Sequence, residues 1–471
     1  MKPNIIFILI DDLGWRDLTC YGSSFYETPN LDRLAKEGMR FTDAYAACPV
    51  CSPTRASLMS GKYPARVGVT NFIGGHGVGK LSDVPYMNYL PINERSIATA
   101  LQEGGYQTWH VGKWHLGNRL TFPEQHGFEV NIGGCGWGLP QQGYFSPWGI
   151  ETLPDGPEGK YLTEAITDAA VAQIRGRDRT RPFFLNLWHY AVHTPIQAPA
   201  ALVEKYRAKA ARLGLKQDDA IEDGEQMPVQ HLYHLRVRRR RFQSDPVYAA
   251  MIEQLDTDIG RVLDTLEAEG IAQDTLVVFK SDNGGLATAE SSPTCNAPLS
   301  EGKGWMYEGG NRVCQIARWP RVIAAGSTCT EPTTSPDWYP TLLAAAGLPL
   351  DPAQHVDGKS LLPLLRGESD SRGPIFWHYP HYSNQGGTPA AAVRNGDWKL
   401  IEFFEDGHHE LYNLREDIGE THDRRAVEPE RLATLAAQLH DWQREIEALI
   451  PRANPRYVPP PPLADADVAE V

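Results

Sequence analysis

Three apolar runs, each closed abruptly by polar residues, constrain the fold more than any other feature of the chain. They are Asn-Ile-Ile-Phe-Ile-Leu-Ile at 4–10, Pro-Phe-Phe-Leu-Asn-Leu at 182–187 and Thr-Leu-Val-Val-Phe at 275–279. The first is continuous rather than alternating, which suits a central parallel strand covered on both faces. A further strand is expected at 106–111. Helical patterns lie between them at 28–38, 93–105, 161–175 and 246–269, with Pro29 near the start of the first and Gly38 at its end. The expectation is an α/β protein with a mostly parallel sheet flanked by helices. From about 366 the pattern changes to short strands at 375–380, 391–394, 398–403 and 410–414, then a helix at 428–448. That predicts a small antiparallel sheet plus helix, dividing the chain into 1–365, a C-terminal subdomain at 366–455 and an extended tail at 456–471.

In open α/β sheets, ligands bind beyond the carboxyl ends of the strands. Asp11-Asp12 follows the first run, and Ser281-Asp282-Asn283-Gly284-Gly285 follows the strand at 275–279. Adjacent carboxylates repel, and a hard divalent cation with oxygen ligands offsets them. Either segment alone also reads as a turn or helix cap. The strand at 106–111 runs into Gly112-Lys113-Trp114-His115-Leu116-Gly117. Continued as an extended strand, it would point Lys113 and His115 to one side. Trp188-His189-Tyr-Ala-Val-His193-Thr-Pro195 ends the run at 182–187. The two histidines are not a helical zinc pair, because the glutamate of H-E-x-x-H is missing and Thr194-Pro195 opposes a helix. Gly74–Lys80 misses a phosphate loop, since Leu81 stands at the Ser/Thr position, and it reads as a loop at the rim of a site. Residues 198–245 show little periodicity, and Arg236-Val-Arg-Arg-Arg-Arg241 reads as a solvated face or a positive rim.

Cys48-Pro-Val-Cys51-Ser52-Pro53-Thr54-Arg55 opens a helix-compatible run to Gly61. Pro53 suits a first helical turn, which puts Cys51 just before a helix, where free N–H groups favour an anion. A C-x-x-C also fits a redox pair or half of a zinc site, and an isolated buried cysteine is by default a small apolar residue. No second C-x-x-C is present.

The Cys51-Ser52-Pro53-Thr54-Arg55 segment resembles the signature of the type I, formylglycine-dependent sulfatases of the alkaline phosphatase superfamily. Companion segments follow in that family's order: Asp11-Asp12-Leu-Gly-Trp15, Gly112-Lys-Trp-His-Leu-Gly117, His193-Thr-Pro195, Asp282-Asn283 and Gly302-Lys303-Gly with Tyr307-Glu-Gly-Gly310. The resemblance implies a large mixed, mostly parallel alkaline-phosphatase-like sheet. It implies conversion of Cys51 to formylglycine by a maturation enzyme, which requires Cys51 to stay unpaired. It implies one Ca2+ held by Asp11, Asp12, Asp282, Asn283 and the modified Cys51, an oxygen ligand where a thiolate would mismatch calcium. By the same resemblance a hydroxyl of the hydrated aldehyde attacks sulfur and expels the alcohol, and elimination of sulfate restores the aldehyde. Arg55 and Lys113 hold the hydrate, His115 is the base for elimination, and His193 with Lys303 binds sulfate and protonates the leaving oxygen.

The expected substrate is a sulfate monoester, with a sulfated carbohydrate favoured. Trp377, His378 and His381 are candidates for a sugar-binding rim. A phosphodiesterase or phosphonate monoester hydrolase on the same scaffold, and a non-catalytic sulfoglycan-binding protein, are the competing readings. Net charge is −14 over 471 residues, which argues against nucleic-acid binding. The apolar run at 4–10 is too short to cross a membrane, and no membrane association is expected. Without a signal peptide, the chain as given reads as cytoplasmic, or as periplasmic or secreted if a leader was removed.

Overall fold

The structure is a computed structural model that describes residues 2–463. Among these residues, fourteen strands form in chain order. They are β1 Asn4–Ile10, β2 Met39–Phe41, β3 Gln107–Gly112, β4 Val130–Ile132, β5 Phe183–Trp188, β6 Ile221–Gln226 and β7 Arg236–Arg240. Then come β8 Thr275–Ser281, β9 Gln315–Arg318, β10 Ser327–Cys329, β11 Ile375–Tyr379, β12 Ala390–Asn395, β13 Trp398–Phe403 and β14 His409–Asn413. Eight make one mixed sheet in the order β10-β2-β9-β8-β1-β5-β3-β4. Its five strands from β8 to β4 are parallel, and β9 runs antiparallel to both β8 and β2. The apolar runs at 4–10, 182–187 and 275–279 become β1, β5 and β8, the three adjacent central strands. Both faces of a central strand are covered, so alternation is lost: every residue of β5 and β8 is buried.

Helices cover the sheet in two groups. Pro29–Glu37, Leu162–Gly176, Ala200–Arg212 and Pro246–Ala268 pack together, as do Cys51–Ser60, Ile97–Glu103 and Trp338–Ala345. Phe7 of β1 meets Trp338 of the second group edge to face at 5.7 Å. The helix expected from 93 starts at Ile97, because the Ser96 side chain accepts a hydrogen bond from the Thr99 N–H and caps it there.

The segment 198–245 holds more structure than its weak periodicity suggested. After the helix Ala200–Arg212, the antiparallel hairpin β6–β7 sets an acidic strand against the arginine run. Arg238 pairs with Asp223 at 3.3 Å, and Arg239 pairs with Glu225 at 2.7 Å and Glu301 at 2.8 Å. Arg238 and Arg241 stay exposed, as a solvated face requires, while the carboxylates of β6 and Glu301 offset the run's charge, so it is not a free positive rim.

Strands β11–β14 form a four-stranded antiparallel sheet. One face packs on the helix Pro429–Glu445 through Leu400, Leu411, Leu435, Leu439 and Trp442. The other packs through Trp377, Ile401 and Tyr412 against Tyr45, Cys48 and Val50, the segment leading into Cys51. A fully buried charge network reinforces this contact: Lys399 pairs with Glu308 at 3.0 Å and Glu420 at 2.9 Å, and Glu308 also holds Arg312 at 2.7 Å. The small sheet therefore braces the backbone on both sides of the site described next. Of the expected tail at 456–471, residues 456–463 have no helix or strand, and 464–471 lie outside the described residues. Among the described residues, no helix is long and apolar enough to cross a membrane.

Candidate active site

Sheet register alone gathers the polar strand ends. Ile10 lies beside Ser281, and Trp188 lies beside both Leu9 and Gly112. The next residues along each strand, Asp11-Asp12, Lys113, His189 and Asp282-Asn283, therefore leave the sheet at one edge. Asp12 adopts φ 62°, a left-handed conformation that aspartate tolerates better than most residues. The two carboxylates consequently face different partners. Asp11 Oδ2 accepts from Lys113 Nζ, and Asp12 Oδ2 accepts from Lys303 Nζ at 2.7 Å.

Cys51 is the first residue of its helix rather than the residue before it, with Val50 extended as the cap. All ten residues of this helix are buried, and two of its hydroxyls are tied to backbone carbonyls: Ser52 Oγ donates to His115 O at 3.0 Å and Thr54 Oγ1 to Cys48 O at 3.2 Å. Cys51 is not bonded to Cys48, and both are free. One turn on, Arg55 donates to Asp282 Oδ2 through Nε at 3.0 Å and Nη2 at 2.8 Å, and through Nη1 to Lys113 O at 3.2 Å. Its guanidinium lies 5.1 Å from the Trp188 ring centroid, a cation–π contact that offsets part of its burial.

Lys113 and His115 do not alternate on an extended strand. β3 ends at Gly112, whose φ of 108° and contact with the Trp188 carbonyl exclude a side chain, and His115 itself has φ 53°. The chain turns, and each side chain reaches a different part of the site. His115 Nδ1 lies 3.4 Å from Cys51 Sγ, and its Nε2 lies 3.2 Å from Ile73 O. A carbonyl only accepts, so Nε2 carries the hydrogen and Nδ1 turns its lone pair to residue 51. By the same logic His193 Nδ1, 3.0 Å from Thr194 O, carries the hydrogen, and Nε2 accepts from Lys303 Nζ at 3.0 Å. Burial, reinforced by the Lys113 and Arg55 charges, keeps His115 far below its usual range. Burial and the Lys303 charge take His193 down to about 4. Both imidazoles are neutral at pH 7.

Burial pushes the Cys51 thiol up despite Lys113 and Lys303, so an unmodified Cys51 is a protonated thiol. Burial also works against the charged form of Asp12, but the Lys303 charge and the Asn283 hydrogen bond outweigh it and hold the carboxylate ionised. At Asp282, burial and the Asp11 charge prevail over Arg55 and Lys113 and push the carboxyl up.

The donor set fits a hard cation. Asp11 Oδ1 and Asn283 Oδ1 are buried oxygens without a hydrogen-bond partner. Asp11, Asp12 and His193 each present a ligand atom within 4.8 Å of one another. Three carboxylates (Asp11, Asp12, Asp282) face three cations (Arg55, Lys113, Lys303), a balance that leaves nothing for an anion. A divalent cation at the unpartnered oxygens would make the cluster positive by two charges and relieve the strain on Asp282.

Residues 11, 12, 51, 55, 113, 115, 193, 282, 283 and 303 thus form one connected cluster. The expected aromatic rim does not. Trp377 is 1% exposed, packs on Tyr45, and donates its indole N–H to Ala46 O at 2.8 Å. His378 contacts Leu449 O at 3.0 Å, and His381 spends both nitrogens on Asp83 and Thr70. These three side chains fill the space between the small sheet and its surroundings. His189 is fully buried with neither nitrogen partnered, a position for which we have no physical account.

Two residues outside the expected set act on the site. Glu290, held by Gln385 Nε2 at 2.6 Å, raises the proton affinity of both Lys303 and His193. Gly138 lies flat against His115: a Cβ there would stand 2.6 Å from Cε1 and 2.8 Å from Nε2 of the ring. Nothing in the sequence singles out Glu290, and Gly138 is one of nine glycines between positions 118 and 160. Gly138→Ala is expected to displace the imidazole and lower kcat by about 100-fold, with little change in melting temperature; unchanged kcat would show that the ring position is not critical.

Comparisons with known proteins follow the same lines. Residues 3–348 match a family model described as Sulfatase, and residues 302–448 match one described as N-sulphoglucosamine sulphohydrolase, C-terminal. A sulfatase of Formosa agariphila is 34% identical, over 94% of this chain and 88% of its own length. Human N-acetylgalactosamine-6-sulfatase is 32% identical, over 80% of this chain and 68% of its own. The crystal structure of Ps i-CgsB in complex with k-i-k-neocarrahexaose superposes with a TM-score of 0.74 at 30% identity, covering 94% of this chain and 93% of the other.

Proposed function

The chain belongs to the type I sulfatase family of the alkaline phosphatase superfamily and is a sulfuric ester hydrolase, and from this premise we propose that it cleaves a sulfated carbohydrate with formylglycine at position 51 and a calcium ion beside it. The observation that carries the proposal is the Cys51 side chain at the start of a buried helix, facing the unprotonated nitrogen of His115, with Arg55, Lys113 and Lys303 around it. A buried, protonated thiol is a poor nucleophile and a poor calcium ligand, which favours the modified residue. The saccharide reading is supported by the relatives named above: one is called an N-acetylgalactosamine-6-sulfatase, and another was solved with a neocarrahexaose.

When present, the aldehyde hydrate supplies an oxygen nucleophile and the calcium supplies positive charge where a sulfate binds. Asp11, Asp12, Asp282 and Asn283 would hold the ion. The rest follows from the chain's own groups. Arg55 and Lys113, fixed by Asp282 and Asp11, orient residue 51 and stabilise charge on the atoms bound to it. His115 Nδ1 accepts a proton from that side chain, and the Ile73 carbonyl steadies the imidazolium that results. Lys303 donates to a sulfate oxygen. The leaving alcohol oxygen takes its proton from the Lys303 ammonium, which His193 Nε2 orients by accepting one of its N–H groups, and the lysine regains a proton from solvent once the alcohol has left.

Matched sulfate and phosphate esters of one alcohol, each in a saccharide and an aryl series, test the proposal. Turnover of the saccharide sulfate well above the rest is expected; a preference for phosphate or phosphonate esters would overturn it. Chelation of calcium is expected to remove at least about 100-fold of kcat and to lower the melting temperature, both restored by added Ca2+, because the buried Asp11 and Asn283 oxygens then lose their partner and the site its excess positive charge. Full activity in a chelator would remove calcium from the account.

A further inference from the structure

Glu402, His409 and His440 converge on the small sheet, on the face that carries its helix. Glu402 of β13 and His409 of β14 are direct cross-strand partners. With a period of two, Glu402 shares its face with Leu400, and His409 shares its face with Leu411. Leu400 and Leu411 are the residues that pack under the helix Pro429–Glu445. His440 comes from that helix, one residue after the buried Leu439. Three separate segments therefore place one ligand-type side chain each at the rim of a single packed interface.

The atoms point at one another. His440 Nε2 lies 3.0 Å and His409 Nε2 3.8 Å from Glu402 Oε1, and the three ligand atoms all lie within 4.8 Å of one another. Ligands bound tetrahedrally at zinc distances stand about 3.4 Å apart, so the observed spacings bracket that value. Two features fit an ion at this point. His409 Nε2 is shielded from solvent yet has no hydrogen-bond partner. Among the described residues, no lysine or arginine pairs with Glu402, whose charge partners are these two imidazoles alone. The side chains are 15%, 23% and 40% exposed in the order Glu402, His409, His440, which leaves room for a water as fourth ligand.

We propose that Glu402, His409 and His440 form a second metal site, for Zn2+ or a similar first-row transition ion, that clamps the helix Pro429–Glu445 to β13 and β14. Two imidazoles and one carboxylate suit such an ion and not calcium, which takes oxygen ligands. The oxygen-rich cluster around Asp11 has the opposite preference, so the two sites separate by metal. The helix clamped here packs on the sheet whose other face supports the segment before Cys51, so the ion's contribution is to stability rather than to chemistry.

The test is titration of calcium-saturated protein with Co2+ and with Zn2+, comparing the wild type with His440→Ala and Glu402→Gln. The wild type is expected to bind one equivalent more than either variant and to show the visible absorption of tetrahedral Co2+, which both variants lack. Zn2+ is expected to raise the melting temperature of the wild type alone, with kcat unchanged in both variants. His440 lies on the helix surface and Glu402→Gln keeps the side-chain shape, so both variants should fold. Equal stoichiometry, spectra and melting shifts in all three proteins would overturn the assignment.

Discussion

Cys51→Ala is expected to abolish turnover, by on the order of 10^4-fold or more, in a protein that still folds. The side chain is 3% exposed and makes one polar contact, to His115. Alanine is the best residue for a helix and loses only the sulfur atom, so the buried helix should persist. The chemistry has no such reserve. Arg55, Lys113 and Lys303 would still bind a sulfate, and His115 would still present its lone pair, but no atom would remain to take the sulfuryl group. Steady-state kinetics with circular dichroism on the same sample check this. Substantial residual turnover in the folded variant would show that Cys51 is a bystander.

Arg55→Met is expected to be as severe for stability. Arg55 is fully buried and offsets Asp282 through two hydrogen bonds, with Asp11 at 3.7 Å. Deleting one partner of a buried pair leaves an uncompensated charge and costs about 3–5 kcal/mol, a large share of the roughly 5–15 kcal/mol that holds a domain together. Arg55→Lys should lie between, since it keeps the charge but not the forked donation to one oxygen. The double variant Arg55→Met with Asp282→Asn should be more stable than Arg55→Met alone, because the second change removes the orphaned carboxylate. Denaturant unfolding of the wild type, Arg55→Met, Asp282→Asn and the double variant measures the coupling. Additive losses would mean that the pair is not an energetic unit.

The strand ends were legible in the sequence because burial on both faces leaves continuous apolar runs, and such runs stop where the sheet stops. Asp11-Asp12 and Asp282-Asn283 could thus be set at the carboxyl edge without coordinates, and sheet register did the rest. What the pattern could not carry was backbone direction. Lys113 and His115 diverge because Gly112 and His115 take positive φ, and no periodicity encodes that turn. Trp377, His378 and His381 misled because a short sheet packed on both faces buries aromatic residues as readily as a pocket displays them. The positive-rim reading of the arginine run fails because its neutralising strand, β6, lies outside the run itself and is recognised only as a hairpin partner. Gly138 and Glu290 act on His115 and Lys303 across space, with no local signature at all.

The central claim concerns one atom, and the mass of the tryptic peptide Phe41–Arg55 from protein made in its native host tests it most directly. Fragmentation separates Cys51 from Cys48 in the same peptide. The account predicts a loss at residue 51 corresponding to conversion of the thiol to an aldehyde, with turnover proportional to the converted fraction. An intact thiol at residue 51 in fully active protein would contradict it.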